Sequence, residues 1–196
     1  MTQIEQTLAG LAVSPAADLE RRTVTGADAG DLVARADSPF GPLWIAWSRS
    51  GITGLSPTFA AETFDEFVDR HRRVAYEADA LPMVLKSAID EALESGDSAG
   101  LTFDLRGISA FRQSVLNACA TIPTGTVRSY GWIADDLRKP GATRAVGTAL
   151  AKNPIPLLIP CHRVVRADGS IGNYAFGREM KLELLRREGA LTGDDR

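Results

Sequence analysis

Residues 153–165 place the strongest constraint on the fold of this chain, because three prolines fall within seven residues, at positions 154, 156 and 160. Each proline fixes φ, removes a backbone donor and pushes the preceding residue toward extended geometry, so an α-helix is excluded here. Residues 157–159 are apolar enough to be buried. The run leads directly into Cys161 and His162. We therefore predict a rigid, buried and extended support that presents a thiol beside an imidazole.

The composition is that of a globular protein with a sizeable core. The chain has 196 residues, of which 44% are hydrophobic and 24% are charged. No apolar run approaches the ~20 residues that a membrane helix needs, and residues 1–5 lack the features of a signal peptide. The two cysteines do not form a disulfide or zinc pattern. We expect a cytoplasmic protein with neither metal nor membrane attachment.

Charge is distributed unevenly along the chain. Residues 1–104 contain 8 Lys and Arg against 17 Asp and Glu, whereas residues 105–189 contain 13 against 6. A basic half is consistent with an anionic partner for that half alone. Chance surface charge explains the same count equally well. The change of sign places a domain boundary near residue 100, and we predict an N-terminal domain at 1–100 and a C-terminal domain at 101–196.

The first half of the chain predicts a small antiparallel sheet with helices. Alternating or aromatic apolar patterns are typical of strands and occupy residues 32–36, 43–48, 52–55, 74–77 and 101–105. Helical spacing of apolar residues covers 60–73 and 82–94. His71 falls on the charged face of the first of these helices, where we expect it to be solvated. Residues 1–30 predict an irregular or partly helical lead-in.

The second half predicts helices and a tight turn between two of them. Helical patterns cover residues 111–120, 130–137, 142–152 and 178–188, and Ser129 stands where an N-cap would begin the second of these. Residues 139–141 (KPG) turn the chain, so that the second and third helices fit a helix-turn-helix. Small side chains on the third would let its backbone approach a nucleic acid closely. An ordinary helical hairpin packed on a core fits the pattern as well.

Cys161 is the candidate nucleophile. A thiol with a pKa of ~8.5 is mostly protonated at neutral pH, so it needs a base. Because neighbours in an extended segment point to opposite sides, His162 would act through a turn or a bridging water. A carboxylate should orient the imidazole, and Glu179, Glu183 and Glu188 are all available. The alternative is a structural cysteine, which is the interpretation we give to Cys119.

Several motifs in the second half resemble one known family. Residues 160–164 (PCHRV), preceded by Asn153 and by residues 144–147 (RAVG) and followed by residues 172–174 (GNY), resemble the signature of the O6-alkylguanine-DNA alkyltransferases. The likeness covers about residues 105–189 closely and residues 31–104 only in general pattern. It implies an α+β fold of two domains. The N-terminal domain would be RNase H-like, and the C-terminal domain winged-helix-like with a helix-turn-helix and the active-site cysteine.

The resemblance implies a direct repair reaction without a cofactor. The family flips O6-alkylguanine out of double-stranded DNA, with O4-alkylthymine as a second candidate base, and the cysteine keeps the alkyl group. Cys161 would be this acceptor, and His162 would remove its proton through a water. Glu188 would orient His162, and Tyr130 would donate to guanine N3. Asn153 would hold the hinge after the recognition helix.

The resemblance also implies the DNA and base contacts. DNA would be bound by Ser129, Ala142, Thr143, Arg144 and Gly147. The base pocket would be formed by Val164, Tyr174, Ala175 and Phe176. Phe176 stands where the family commonly has glycine, so its ring would either narrow the pocket or stack on the guanine. We expect its replacement by glycine to favour benzyl-type adducts. We expect a monomer, and cooperation between molecules along DNA is left open.

Two other functions fit parts of the sequence. Alkyltransferase-like proteins bind damaged DNA but lack the acceptor cysteine, and Cys161 argues against that class. A Cys-His hydrolase would need an oxyanion site, for which the sequence has no motif.

Overall fold

A computed structural model describes residues 30–191, and the predicted lead-in lies outside this range apart from its last residue. Four strands form the main sheet in the order β3-β2-β1-β4, with β1 at Asp31–Ala36, β2 at Leu43–Ser48, β3 at Gly51–Pro57 and β4 at Ala75–Glu77. The first three strands pair antiparallel, as predicted. Within residues 30–191 no helix is long and apolar enough to cross a bilayer.

The prediction of a wholly antiparallel sheet is wrong at one edge. Strand β4 pairs parallel with β1, with Leu32 opposite Tyr76. The reason is the connection, because the chain leaves β3 through helix α1 (Phe64–His71) and returns on the far edge of the sheet. Parallel neighbours require such a crossover and cannot be joined by a hairpin turn. Sequence periodicity reports a strand but not its direction.

The strand predicted at residues 101–105 is not formed. Phe103 makes a single bridge with Ile52, and the chain then bends. The buried Asp104 causes the bend because its carboxylate accepts from the backbone N–H of Arg106 at 3.1 Å and from Ser48 Oγ at 2.7 Å. Hydrogen bonds led by that of the Arg106 side chain hold the pKa of Asp104 well below its usual range.

His71 is buried, which contradicts the prediction that it is solvated. Its side chain is 2% exposed, and Nε2 lies 2.7 Å from Asp31 Oδ2. The ring stacks on Phe67 at 5.4 Å between centroids. The two residues are one turn apart on α1, so both lie on the face of the helix that packs on the sheet. Surrounding charged residues on α1 concealed this position in the sequence.

The sheet has apolar residues on both faces. One face contributes to the main core, through Ala34, Leu43, Ile45, Trp47, Ile52 and Leu55. The other packs under α1, through Val33, Trp44 and Ala46 with Ala61 and Phe67. Alternating residues of β1 and β2 therefore divide between the two clusters, as the period of a strand requires. Helix α2 (Met83–Ser95) packs on the first face through Ile89 and Leu93 and ends at Gly96, whose φ of 72° suits glycine.

The second half contains α3 (Ala110–Ala120), α4 (Tyr130–Asp136), α5 (Thr143–Ala151) and α6 (Arg178–Arg187), all near their predicted bounds. Ser129 caps α4 as predicted, because its Oγ accepts from Trp132 N at 3.0 Å. A short 3-10 turn, Pro140–Ala142, separates α4 from α5, which pack on each other. Strands β5 (Arg128–Ser129) and β6 (Val164–Val165) pair parallel and join the start of α4 to the segment after Cys161.

The proline-rich stretch is a buried turn and not the extended support that we predicted. Ile159 N donates to Ile155 O at 2.9 Å, and Leu157 has a φ of 71°. Cys161–Arg163 then form a 3-10 turn. Proline excludes an α-helix here but leaves turns open, which explains the difference. The sheet supports this stretch, because Leu55 N donates to Pro154 O at 2.8 Å.

Candidate active site

A cavity of about 560 Å³ lies between helix α5 and the loop that precedes α6. Cys161, 8% exposed, lines it together with Tyr130, Tyr174 and Ala175. The volume falls in the range of small-molecule pockets, about 300–1,000 Å³. The cavity can therefore hold a single flat ring system beside the thiol.

Asn153 fixes the position of the Cys161 thiol. Its amide nitrogen donates to Ile159 O at 2.9 Å and to Cys161 Sγ at 3.3 Å, while its oxygen accepts from Ile155 N at 3.0 Å. One side chain thus joins both ends of the proline-rich turn to the sulfur. Burial raises the pKa of the Cys161 thiol, and the bond from Asn153 opposes this rise. The thiol is therefore protonated at rest and needs a base.

His162 has the arrangement of such a base. It is buried, and its Nε2 lies 2.8 Å from Glu188 Oε1. Because a carboxylate is an acceptor, Nε2 carries the proton and Nδ1 holds the free lone pair. Nδ1 has no hydrogen-bond partner within residues 30–191. Burial lowers the pKa of the imidazole, which keeps it neutral and able to accept a proton.

Of the three glutamates that the sequence offered as partners for the imidazole, Glu188 is the one that reaches His162. Glu183 instead pairs with Arg187 on the surface of α6. Burial would raise the pKa of Glu188, but hydrogen bonds from His162 and Arg163 outweigh it and lower the pKa to about 2. Glu188 is therefore ionised throughout the physiological range.

Arg163 is a buried residue of the site that sequence reasoning missed. Its guanidinium donates to both oxygens of Glu188, at 2.8 and 2.9 Å, to Ile122 O at 2.6 Å and to Gly96 O at 2.5 Å. It links the end of α2 and the end of α3 to the carboxylate behind His162. Its position inside the Cys-His-Arg triplet was the available signal, since an arginine there must find partners when it is buried.

Lys181 is also fully buried, and no site role was predicted for it. Its Nζ donates to Val164 O at 2.6 Å. Burial lowers its pKa to about 8, so it remains mostly charged at neutral pH. Its charge opposes the rise in the pKa of Cys161. An apolar pattern on α6 gave no indication that a lysine would point into the core.

Tyr130 reaches the cavity from the start of α4. The β5–β6 pair brings it near Cys161, because Ser129 lies opposite Val165. Its hydroxyl lies 3.4 Å from where a Cβ on Gly172 would stand, and its ring lies 3.8 Å from the equivalent point on Gly147. Burial raises the pKa of the phenol. The hydroxyl is therefore kept protonated as a donor into the cavity.

The predicted DNA-contact residues separate into two groups. Thr143, Arg144 and Gly147 line the rim of the cavity on α5. Ala142 and Ser129 do not: Ala142 ends the 3-10 turn before α5, and the Ser129 hydroxyl is occupied as the cap of α4. Arg166 was not among the residues predicted to contact DNA, but it also lines the cavity, beside Gly172.

Only two of the four residues predicted to form the base pocket line the cavity. Tyr174 and Ala175 line the cavity, whereas Val164 is buried behind it, with its carbonyl bonded to Lys181. Phe176 does not line the cavity, contrary to the expectation that its ring narrows the pocket or stacks on the guanine. It lies against Tyr174 and Phe59 instead. The adjacent glycine, Gly177 with a φ of 90°, turns the chain at this point.

The ionised state of Glu188 should make stability depend on pH in acid. A carboxylate with a depressed pKa stabilises the fold above its unfolded value, and that contribution is lost as pH falls through the folded value. The free energy of unfolding should therefore fall between pH 4.5 and about 2. Urea titrations across this range should show a shallower fall in Glu188→Gln. If the free energy of unfolding fell with pH equally steeply in Glu188→Gln and in the surface variant Glu183→Gln, the ionised state of Glu188 would not be the cause.

Comparison with known proteins agrees with this geometry. Residues 110–190 match the family described as 6-O-methylguanine DNA methyltransferase, DNA binding domain. A methylated-DNA–protein-cysteine methyltransferase from Mycobacterium tuberculosis is 39% identical over 156 residues, covering 78% of this chain and 88% of the relative. The bifunctional transcriptional activator/DNA repair enzyme Ada of Escherichia coli is 49% identical over 161 residues, which cover 79% of this chain and 44% of Ada.

Solved structures extend the match beyond the second half. The crystal structure of Mycobacterium tuberculosis OGT in complex with DNA superposes with a TM-score of 0.64 and 35% identity, covering 84% of this chain and 96% of that one. The likeness thus includes both the sheet and the helices around Cys161. With its cysteine, imidazole and carboxylate in this arrangement, the chain belongs to the family of methylated-DNA–protein-cysteine methyltransferases.

Proposed function

We propose that this protein reverses alkyl damage in DNA by moving the alkyl group from O6 of guanine to the sulfur of Cys161, once per molecule. The observation that carries the proposal is the Cys161 thiol, held by Asn153 in a cavity beside a neutral His162 that Glu188 orients. No cofactor enters the reaction. The product is a thioether, which is not cleaved again under physiological conditions.

The reaction balances with Cys161 and Tyr130, which line the cavity, and with His162 and Glu188 behind it. The thiol proton passes to His162 Nδ1 through a bridging water, and the Glu188 carboxylate stabilises the imidazolium that forms. The sulfur then attacks the alkyl carbon, the S–C bond forms and the C–O6 bond breaks. The electron pair stays on guanine. Tyr130 transfers its hydroxyl proton to N3, so guanine leaves as a neutral base, and the proton held by His162 restores the tyrosine hydroxyl through water.

DNA binding and base flipping follow from the position of the cavity. An alkyl group on O6 is buried in the base stack, so the nucleotide must leave the duplex before the thiol can reach it. Arg144 stands on the rim at the start of α5, where it would occupy the space the base leaves. Thr143 and Gly147 on the rim, with Ala142 and Ser129 at the helix starts, would approach the backbone of the DNA. The basic charge of the second half would neutralise phosphates.

The finer architecture belongs to the same proposal. We assign residues 1–100 to an RNase H-like domain and residues 101–196 to a winged-helix-like domain, and we expect the whole protein to act as a monomer. Two hydrogen bonds connect the first domain to the segment around Cys161. Ser98 Oγ donates to Leu158 O at 2.8 Å, and the Arg163 guanidinium donates to Gly96 O. These bonds support the proposal that the first domain holds the active-site segment in place. Val164 is 0% exposed and its carbonyl accepts from Lys181, so in this proposal it supports the pocket from behind.

The function is tested by the mass of the protein after reaction. Incubation with a duplex containing O6-methylguanine should add one methyl group, and peptide mapping should place it on Cys161. Incubation with a second duplex, which contains O4-methylthymine, tests whether the protein also accepts an alkyl group from thymine. An unmodified Cys161 on DNA-bound protein would favour a damage-binding module instead. Repeated turnover with release of the alkyl group would favour hydrolysis.

A further inference from the structure

Four aromatic rings form a continuous chain from the turn after β3 to His162. The centroid distances are 5.8 Å for Phe59 and Phe176, 5.6 Å for Phe176 and Tyr174, and 6.3 Å for Tyr174 and His162. The interplanar angles are 80°, 85° and 81°, so each contact is edge-to-face. This is the favourable geometry for aromatic pairs. The three contacts connect the sheet half of the molecule to the proposed base of the reaction.

The middle of this chain belongs to the wall segment, residues 172–177, which forms one side of the cavity. Its backbone is bonded internally from Gly177 N to Tyr174 O at 3.2 Å, and Gly177 O also accepts from Lys181 N at 3.4 Å where α6 begins. Both of its ends are glycines with positive φ, Gly172 at 68° and Gly177 at 90°. The Tyr174 hydroxyl is buried without a hydrogen-bond partner in the described chain. The segment therefore depends on packing for its position.

Phe59 stands on a rigid support. The flanking amides are both bonded, Thr58 N to Pro42 O at 3.0 Å and Ala60 N to Pro57 O at 3.0 Å. The Phe59 side chain is 62% exposed, so core packing does not account for it. Phe176 is its aromatic partner. A fixed turn thus holds a largely exposed ring against the wall segment.

We propose that Phe59 is a positioning residue that, through Phe176, holds the wall segment against His162 and thereby limits the size of the alkyl group accepted. This inference rests on the proposed alkyl transfer. Phe176 acts from outside the cavity, so it restricts the adduct by keeping Tyr174 and Ala175 in place and not by occupying space. Removing Phe59 breaks the contact between the turn and Phe176, and removing Phe176 breaks both that contact and the one with Tyr174.

The test compares transfer from O6-benzylguanine and O6-methylguanine in matched duplexes. Phe59→Ala should raise the ratio of benzyl to methyl transfer rates by about 2- to 12-fold, the factor that one edge-to-face pair contributes. Phe176→Ala also removes the contact with Tyr174, so it should give at least this change, and adding Phe59→Ala to it should have no further effect. Phe59→Tyr keeps the ring and should match the unmodified protein. Met83→Ala removes another exposed apolar side chain, at a residue 83% exposed and outside the aromatic chain, and should have no effect.

Two results would overturn the proposal. If the ratio rises in Phe176→Ala alone, Phe176 restricts the adduct directly and Phe59 has no part. If the two single effects multiply in the double variant, the residues act independently.

A second measurement does not depend on the reaction. Amide hydrogen exchange of residues 173–177 in the free protein should be faster in Phe59→Ala than in Met83→Ala, and equal exchange would refute the contact as a support. Should the unmodified protein transfer no alkyl group, the proposed function fails while hydrogen exchange still decides whether Phe59 holds the wall.

Discussion

Replacement of Cys161 by serine is expected to abolish alkyl transfer while leaving DNA binding within about twofold of the unmodified protein. A serine hydroxyl is much less acidic than a thiol, and the neutral His162 is too weak a base to ionise it. DNA affinity should persist because Cys161 is 8% exposed at the wall of the cavity, whereas the charged residues that line the cavity are Arg144 and Arg166. Single-turnover assays with intact-mass detection and anisotropy with labelled duplex measure the two effects.

Cys119 supplies the matched control for this substitution. It is fully buried in the core and does not line the cavity. Cys119→Ala should therefore retain transfer, even though it leaves a small void in the core. Methyl transfer to any residue of Cys161→Ser, or a loss of DNA binding by that variant, would show that the roles of the thiol and the DNA surface are not separate.

The change Arg163→Leu should lower the free energy of unfolding by about 3–5 kcal/mol, the usual cost of breaking a buried ion pair from one side. The variant leaves the Glu188 carboxylate with His162 alone and deprives Ile122 O of its donor, whereas Gly96 O keeps the hydrogen bond from Thr124 Oγ1. Because Glu188 also loses its anchor, alkyl transfer should slow as well. Urea denaturation followed by circular dichroism gives the stability, and the methyl-transfer assay gives the rate.

Arg187→Leu is the appropriate comparison for Arg163→Leu. Arg187 pairs with Glu183 at 2.9 Å, but its side chain is 49% exposed. Surface pairs of this kind contribute about 0–1 kcal/mol. A similar loss of stability in both variants would mean that Arg163 acts as an ordinary surface charge, in conflict with its burial.

Local signals in the sequence were sufficient for most elements of the second half. Ser129 was identified as a helix cap because capping depends on residues within one turn, and the bounds of α5 followed from Pro140 and Pro154 on either side. The strands at Leu43–Ser48 and Gly51–Pro57 followed from apolar patterns and the turn between them. The sequence alone also showed that a cysteine and a histidine, Cys161 and His162, are adjacent in the chain.

Tertiary structure decided what depends on residues far apart in the chain. It placed Glu188, and not Glu179 or Glu183, against His162 across 26 positions. It also buried Arg163 and His71, which as charged or titratable residues carry no local signal of burial, and it made β4 parallel to β1 through the path of α1.

The proline-rich stretch illustrates the same division. Its composition excluded an α-helix, because a proline lacks the N–H and restricts the residue before it. Whether it extended or turned depended on partners elsewhere, namely Leu55 on β3 and the side chain of Asn153. The sequence alone determined that Cys161 would be presented by a rigid segment. Only the packed structure determined the turn and the neighbours that could make its thiol reactive, because those contacts form between distant parts of the chain.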